Sequence, residues 1–413
     1  MNEYLQRAES ILARINELAA VSEDEHHVTR TFGTAAFIKG SHMIAGWMQQ
    51  AGLETHTDNI GNVRGRLRST NASAKTLVLA SHMDTVVNAG RFDGPLGVLL
   101  ALDVIAHLDT PLPFHIELIA FSDEEGVRFH TTYLGSKVVA GSFDMALLEK
   151  KDQQGDTLQE VITAMGGDAA RLKNDHIPES NWLGYYEVHI EQGPVLYENN
   201  IPVAIVKGIA GQKRSEIVFK GTAGHAGTVP MGMREDALCC AAAFILATEQ
   251  YAIAHKDDIV ATVGKLNITH AASNTIPGEV ICTLDLRSND PAILADAYAH
   301  LQNNCVAICH QRGITLDWRL VQETAPVSCS STMNALLAQS IQDAGYEVVK
   351  LVSGAGHDGV PISAVSPIAM LFVRCFKGIS HHPLENVELK DLAAAVEVSA
   401  NFIHHLIKTH NHR

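Results

Sequence analysis

The chain has 413 residues, 46% of them hydrophobic and 19% charged, with a formal net charge of −15. The apolar content supports a large core and the length predicts about two or three domains. The negative charge argues against nucleic acid or an anionic membrane surface as partner, since both would be repelled at long range. Seven scattered cysteines without a CxxC pattern fit reduced thiols better than a disulfide framework or a thiolate zinc site. The N-terminal MNEYLQRAES lacks a basic stretch followed by an apolar region, and no apolar run approaches the roughly 20 residues that span a bilayer. The expectation is therefore a cytoplasmic protein without a membrane span. The 22 histidines are the unusual feature of the composition.

In chain order, residues 3–20 and 38–52 carry apolar positions at helical spacing, and Gly52 supplies a stop for the second. The runs TLVLA (76–80), FHIELIAF (114–121) and YYEVHI (185–190) read as strands, with a helical stretch GVLLALDVIAHL (97–108) between the first two. Continuously apolar strands linked through a helix predict a parallel or mixed sheet covered on both faces. Ligands of such sheets gather beyond the carboxyl ends of the strands. From about residue 211 the texture changes. RSEIVFKG (214–221) reads as a strand, 233–254 as a helix, DIVATVGKLNI (258–268) and EVICTLDLRS (279–288) as a strand pair, 291–312 as a helix and ITLDWRLV (314–321) as a closing strand. That order, βαββαβ, is the ferredoxin-like split unit. After Pro326 a helix at 331–344, the run SPIAMLFVRC (366–375) and a helix at 390–408 restore the α/β texture, and HHLIKTHNHR ends the chain as a polar helix terminus or tail. The predicted architecture is an α/β domain with a mixed sheet covered by helices (1–210 and 327–413), interrupted by a ferredoxin-like α+β insertion (211–326).

Charged residues cluster at the strand ends. TLVLA leads into SHMDTVVNAGRFDGPLG, which sets His82, Asp84 and Asp93 in a glycine-rich loop. Imidazole and carboxylate together suit a hard or borderline cation. Asp84, two residues after His82, can accept the second imidazole N–H and fix its tautomer. A lone HxD reads more readily as a polar turn than as a metal site. FHIELIAF, however, ends in SDEEG, placing Asp123, Glu124 and Glu125 at the same rim. Adjacent carboxylates repel, so such a run is a solvated turn or a place where a cation compensates them. YYEVHIEQG brings His189 in alternation with Glu187 and Glu191, and GISHHP places His381 and His382 after the last apolar strand. Four strands ending in His or carboxylate at one rim point to a metal site. The chain has neither the GxSxG of a serine hydrolase nor the HExxH of a zincin.

HMDTVVNAGRFDGPLG, SDEEGVRF, VHIEQGPVL, GHAGTVPM, SNTIPGEV, DLRS, SGAGHD and GISHHP occur in the order and approximate spacing of the M20-type dinuclear metallohydrolases. From about residue 25 to 405 the chain resembles the branch of allantoate amidohydrolases and N-carbamoyl-L-amino acid hydrolases. The short interval from His82 to Asp93, and a His rather than an acid at 189, resemble this branch more than the di- and tripeptidases. The resemblance implies two divalent metal ions per subunit, zinc by default, with manganese suited to the same donors. It implies that Asp93 bridges them, that His82 and His189 complete one site, and that Glu125 and His381 complete the other. His381 is taken over His382 because the family pattern reads SH, one residue, then P.

The resemblance further implies that Glu124 is the general base, taking a proton from water and delivering it to the leaving amine. His225 of GHAGT would stabilise the tetrahedral oxyanion, reaching across a homodimer from the other subunit. Arg287 of DLRS and Asn274 of SNTIPG would hold the substrate carboxylate, for which a guanidinium fork is suited. Read alone, Arg287 fits a surface ion pair and Asn274 a turn just as well as substrate contacts. Gln192, the backbone of Gly356, and His357 with Asp358 would line the rest of the pocket. The implied partner is a small ureido acid. MLFVRCFKGISHHP resembles the allantoate enzymes more than the carbamoylases, so the expected reaction is hydrolysis of the ureido (carbamoyl) C–N bond of allantoate to ureidoglycine, ammonia and carbon dioxide. The alternative is an N-carbamoyl-L-amino acid hydrolase, or a hydrolase of ureidoglycolate or β-ureidopropionate. A non-enzymatic relative on the same fold is the rival class, and retention of every ligand position and of Glu124 speaks for the enzyme.

Overall fold

The continuous apolar runs form the strands Thr76–His82, His115–Phe121, Trp182–Ile190 and Ile368–Val373, and every residue of the first two is buried. The computed structural model describes residues 3–108 and 111–411, so the end of the expected polar C-terminus lies outside the described residues. Two compact units emerge, one comprising the chain up to Lys207 and from Cys329 onward, the other Gly208–Ser328.

In the first unit the sheet runs in the order Glu54–Thr57, Val63–Leu67, His115–Phe121, Thr76–His82, Trp182–Ile190, Ile368–Val373 and Val203–Ile209, with Lys350–Ser353 also pairing the last. The four apolar strands are mutually parallel, and His82 pairs with Phe121 while His189 pairs with Phe372. Their carboxyl ends therefore share one rim. The flanking strands are antiparallel, which makes the sheet mixed. Parallel neighbours need a crossover, and the helix Pro95–Ala106 supplies one of them. It is buried from Pro95 to Ile105, because the sheet covers one side and the helices Glu3–Ala19 and Leu389–Asn411 pack on the other. Ile11, Leu99, Leu102 and Phe402 lie in one core, each such side chain contributing about 1.5–3 kcal/mol on full burial.

The second unit follows the split βαββαβ order. Gly211–Lys220 lies between Glu279–Ser288 and Thr315–Thr324, all antiparallel, and the helices Ala237–Ala254 and Pro291–Arg312 cover one face. Burial alternates along Glu279–Ser288 with the period of a strand that faces a core on one side. Two expectations need correction. The run at 258–268 is two short strands, Ile259–Thr262 and Leu266–Ile268, whose pairing with Glu279–Ser288 shifts by one residue across the Gly264 break, as an extra residue in one strand requires. The helix Ala237–Ala254 is, by length and composition, apolar enough to cross a membrane, although 28% of it is buried in this unit. It starts where Asp236 caps the Cys239 amide, and it packs on the sheet through Cys240, Ala241 and Phe244.

Candidate metal centre

His82 is the last residue of its strand, and the loop that follows folds back over it. At Gly94 (φ 83) an added Cβ would lie 2.5 Å from the His82 ring, so both the backbone angle and the close approach demand glycine. That return brings Asp93 beneath the strand ends. Its Oδ1 lies 3.1 Å from His189 Nε2 and 3.5 Å from His82 Nε2, while its Oδ2 lies 3.1 Å from His381 Nε2. His381 Nε2 is in turn 3.2 Å from Glu125 Oε1. The five side chains singled out as ligands thus converge, each oxygen of Asp93 turned toward a different set. His82, Asp93 and His189 form one grouping able to hold a cation, and Asp93, Glu125 and His381 another; Glu124 joins His82 and Glu125 in a third. His382 points elsewhere, accepting from its own turn at Leu384 N. Asp123 is buried but lies outside these groupings.

The electrostatics fit a site for cations. The partners of Asp93 are three imidazoles, the Gln192 amide and the Ser380 hydroxyl, with no lysine or arginine among them in the described residues. Burial works against charge on Asp93, yet hydrogen bonds from His189, His381 and His82 hold it well below the usual carboxylate range. Asp93 and Glu125 push His381 up to about 10. Burial, opposed by His82 and reinforced by Glu125 and Asp358, holds Glu124 well above its ordinary value. Carboxylate oxygens and imidazole nitrogens in this number suit zinc or manganese, and a buried carboxylate with one oxygen toward each set suits a pair of ions.

Asp84 stands beside the His82 ring and also serves the neighbouring turn. His82 Nδ1 lies 3.1 Å from the Asp84 backbone carbonyl and 3.5 Å from its carboxylate Oδ1, and that carboxylate also accepts the Glu124 amide at 3.0 Å and the Glu125 amide at 3.1 Å. It therefore holds the main chain of the SDEEG turn. Gln192 (φ 56) donates to Asp93 Oδ2 at 2.9 Å. His357 is buried behind His189, ring centroids 4.5 Å apart, and pairs with Ser353 Oγ at 2.7 Å. A Cβ on Gly356 would collide with the Tyr133 hydroxyl, and Asp358 bonds to the Ser136 hydroxyl. Glu187, on the His189 strand, accepts from the Tyr185 hydroxyl at 2.8 Å and the Ser81 hydroxyl at 3.3 Å. Ser380 and Glu385, both within a few residues of His381, also reach the Asp93 carboxylate and its loop.

The remaining residues belong to the second unit. His225 pairs with Thr275 in a two-stranded ribbon, and the Ala226 amide donates to the Asn274 carbonyl at 2.9 Å, so His225 and Asn274 are exposed neighbours. Arg287 forks onto Asp285 at 2.8 and 2.9 Å, and Arg214 shares that carboxylate.

Residues 78–405 match peptidase family M20/M25/M40. Allantoate deiminase of Arabidopsis thaliana is 39% identical over 96% of this chain and 81% of its own length. N-carbamoyl-L-amino acid amidohydrolase of Geobacillus stearothermophilus is 36% identical over 95% and 97%. The crystal structure of a hydantoinase/carbamoylase family amidase from Burkholderia multivorans superposes with a TM-score of 0.91 at 30% identity, over 97% of this chain and 98% of that one.

Proposed function

The chain belongs to peptidase family M20/M25/M40, and on that premise we propose that it hydrolyses the ureido C–N bond of allantoate, giving ureidoglycine, ammonia and carbon dioxide. The observation that carries the reading is the division of Asp93 between two ligand sets with Glu124 beside them. Two divalent ions, zinc or manganese, held by His82, His189, Asp93, Glu125 and His381 would supply an acidified water and polarise the ureido carbonyl. Glu124 takes the proton from that water and passes it to the departing nitrogen. Asp84 keeps Glu124 and Glu125 in register through their amides. Arg287 and Asn274 receive the substrate carboxylate, with Asp285 giving up part of its hold on the guanidinium. The protein works as a cytoplasmic homodimer in which His225 of the partner subunit meets the negative charge that develops on the carbonyl oxygen.

Allantoate is favoured over N-carbamoyl-L-amino acids by the higher identity to the plant enzyme and by the MLFVRCFKGISHHP segment. The test is an ammonia assay on metal-stripped protein reconstituted with zinc or manganese, using allantoate, ureidoglycolate, β-ureidopropionate and several N-carbamoyl amino acids. Allantoate should give the highest kcat/KM. A carbamoyl amino acid ahead of it by tenfold or more would transfer the assignment to the alternative.

A further inference from the structure

A buried carboxylate closes on the loop that carries the bridging residue. Glu385 is 3% exposed, and its Oε1 accepts the Phe92 amide at 2.7 Å and the Asp93 amide at 3.1 Å. Its Oε2 lies 3.2 Å from the Ser380 hydroxyl, which also lies 2.7 Å from Asp93 Oδ2. The loop and the carboxylate are in full contact: a Cβ added at Gly90 would fall 2.3 Å from Glu385 Cβ, Cδ and Oε1. A weaker tie, Arg91 Nη2 to Asn386 Oδ1 at 3.4 Å, runs alongside. Glu385 thus grips the Asp93 loop by its main chain and sits four residues beyond His381, so it joins the segments that bear a ligand of each set.

We propose that Glu385 is a positioning residue that holds Asp93 in its bridging pose by fixing its main chain through two amides, while the Ser380 hydroxyl beside it gives its single proton to the nearer Asp93 Oδ2 and holds that outer oxygen. The inference rests on the dinuclear reading. An aspartate free to rotate about χ1 and χ2 would offer both oxygens to one set at a time; with its backbone clamped and Oδ2 held by Ser380, only Oδ1 is left for His82 and His189. Partners of this kind, standing behind the ligands, commonly change metal affinity by about 10–100-fold when removed. Because the clamp acts on the shared ligand, the loss should appear at both sites together.

The test uses the full-length protein stripped of metal and titrated with zinc against a chromophoric chelator, and with cobalt for its visible spectrum. Glu385→Ala should weaken both zinc constants by about 10–100-fold and alter the cobalt band shape. Glu385→Gln, whose amide oxygen still accepts the two backbone amides, should recover most of the affinity. Gly90→Ala, which displaces Glu385 without changing its chemistry, should move the constants in the same direction as Glu385→Ala and serves as the test if that variant does not fold. A merely structural role would lower the thermal midpoint of the stripped protein while leaving the zinc constants and the cobalt spectrum as in wild type, and that outcome overturns the proposal. So does weakening confined to one site. If wild-type protein itself binds fewer than two ions, the dinuclear reading fails and takes the inference with it, an outcome told apart by the wild-type titration alone.

Discussion

Removing the Asp93 carboxylate should empty both halves of the centre, whereas removing His381 should empty one. Asp93→Ala takes Oδ1 from the side of His82 and His189 and Oδ2 from the side of His381, while His381→Ala takes a single donor from the second set. Four-ligand zinc sites bind with about 10–16 kcal/mol. One donor in four then carries about 2.5–4 kcal/mol, or roughly 10²–10³ in affinity. With free zinc set about tenfold above the wild-type dissociation constants, wild type should hold two ions per chain, His381→Ala one, and Asp93→Ala close to none. Metal content by atomic emission after equilibrium dialysis measures this, with circular dichroism confirming that each variant is folded. Two ions retained by Asp93→Ala under conditions where His381→Ala retains one would refute the bridging assignment.

Glu124→Gln keeps the shape of the side chain but removes the proton acceptor, so kcat should fall by roughly 10²–10⁴ at full metal content; loss of metal instead would make Glu124 a ligand. An inactive His225→Ala chain mixed with an inactive Glu124→Gln chain should regain about a quarter of wild-type activity once subunits exchange, because half of the randomly paired dimers are mixed and half of their sites are whole. No recovery, with exchange shown independently, would place His225 outside the neighbour's site. Metal binding to stripped protein should release protons. Asp93 and Glu125 raise His381 to about 10, so this ring carries a proton at pH 7 that zinc must displace. Apparent affinity should therefore rise between pH 7 and 9, by about tenfold per pH unit for each proton released. Calorimetry in buffers of different ionisation enthalpy counts those protons, and an affinity flat over this range would contradict the charge pattern.

The convergence is legible because His82, Glu125 and His189 sit at or just past the ends of apolar strands that pair in parallel and so share one rim, and Asp93 and His381 lie in the loops that follow such strands. Roles that depend on the main chain are not legible in this way. Asp84 is visible by spacing as a neighbour of the imidazole, but the hold of its carboxylate on two amides of the SDEEG turn is not. Glu385 binds the amides of Phe92 and Asp93, 293 and 292 positions earlier in the chain, and a carboxylate that binds backbone leaves no periodicity to read. The strands Glu54–Thr57 and Val63–Leu67 escape the pattern because both are short, ETHT is mostly exposed, and VRGRL buries a charged residue, Arg64, beside Val63. At 258–268 the β-branched composition is that of one strand, and only the partner's register exposes the break.

The two points at which the first unit leaves off and resumes are adjacent: the Cys329 amide donates to the Lys207 carbonyl at 3.1 Å. A single short turn joining Lys207 to Cys329 would thus restore an unbroken polypeptide that keeps His82, Asp93, Glu124, Glu125, His189 and His381 and discards His225, Asn274 and Arg287. All six of those retained residues lie in the first unit, so the insertion contributes none of them. Such a domain can be acquired at a surface turn without disturbing the strands on either side, and substrate selection can then diversify in a module whose mutations leave the metal ligands untouched.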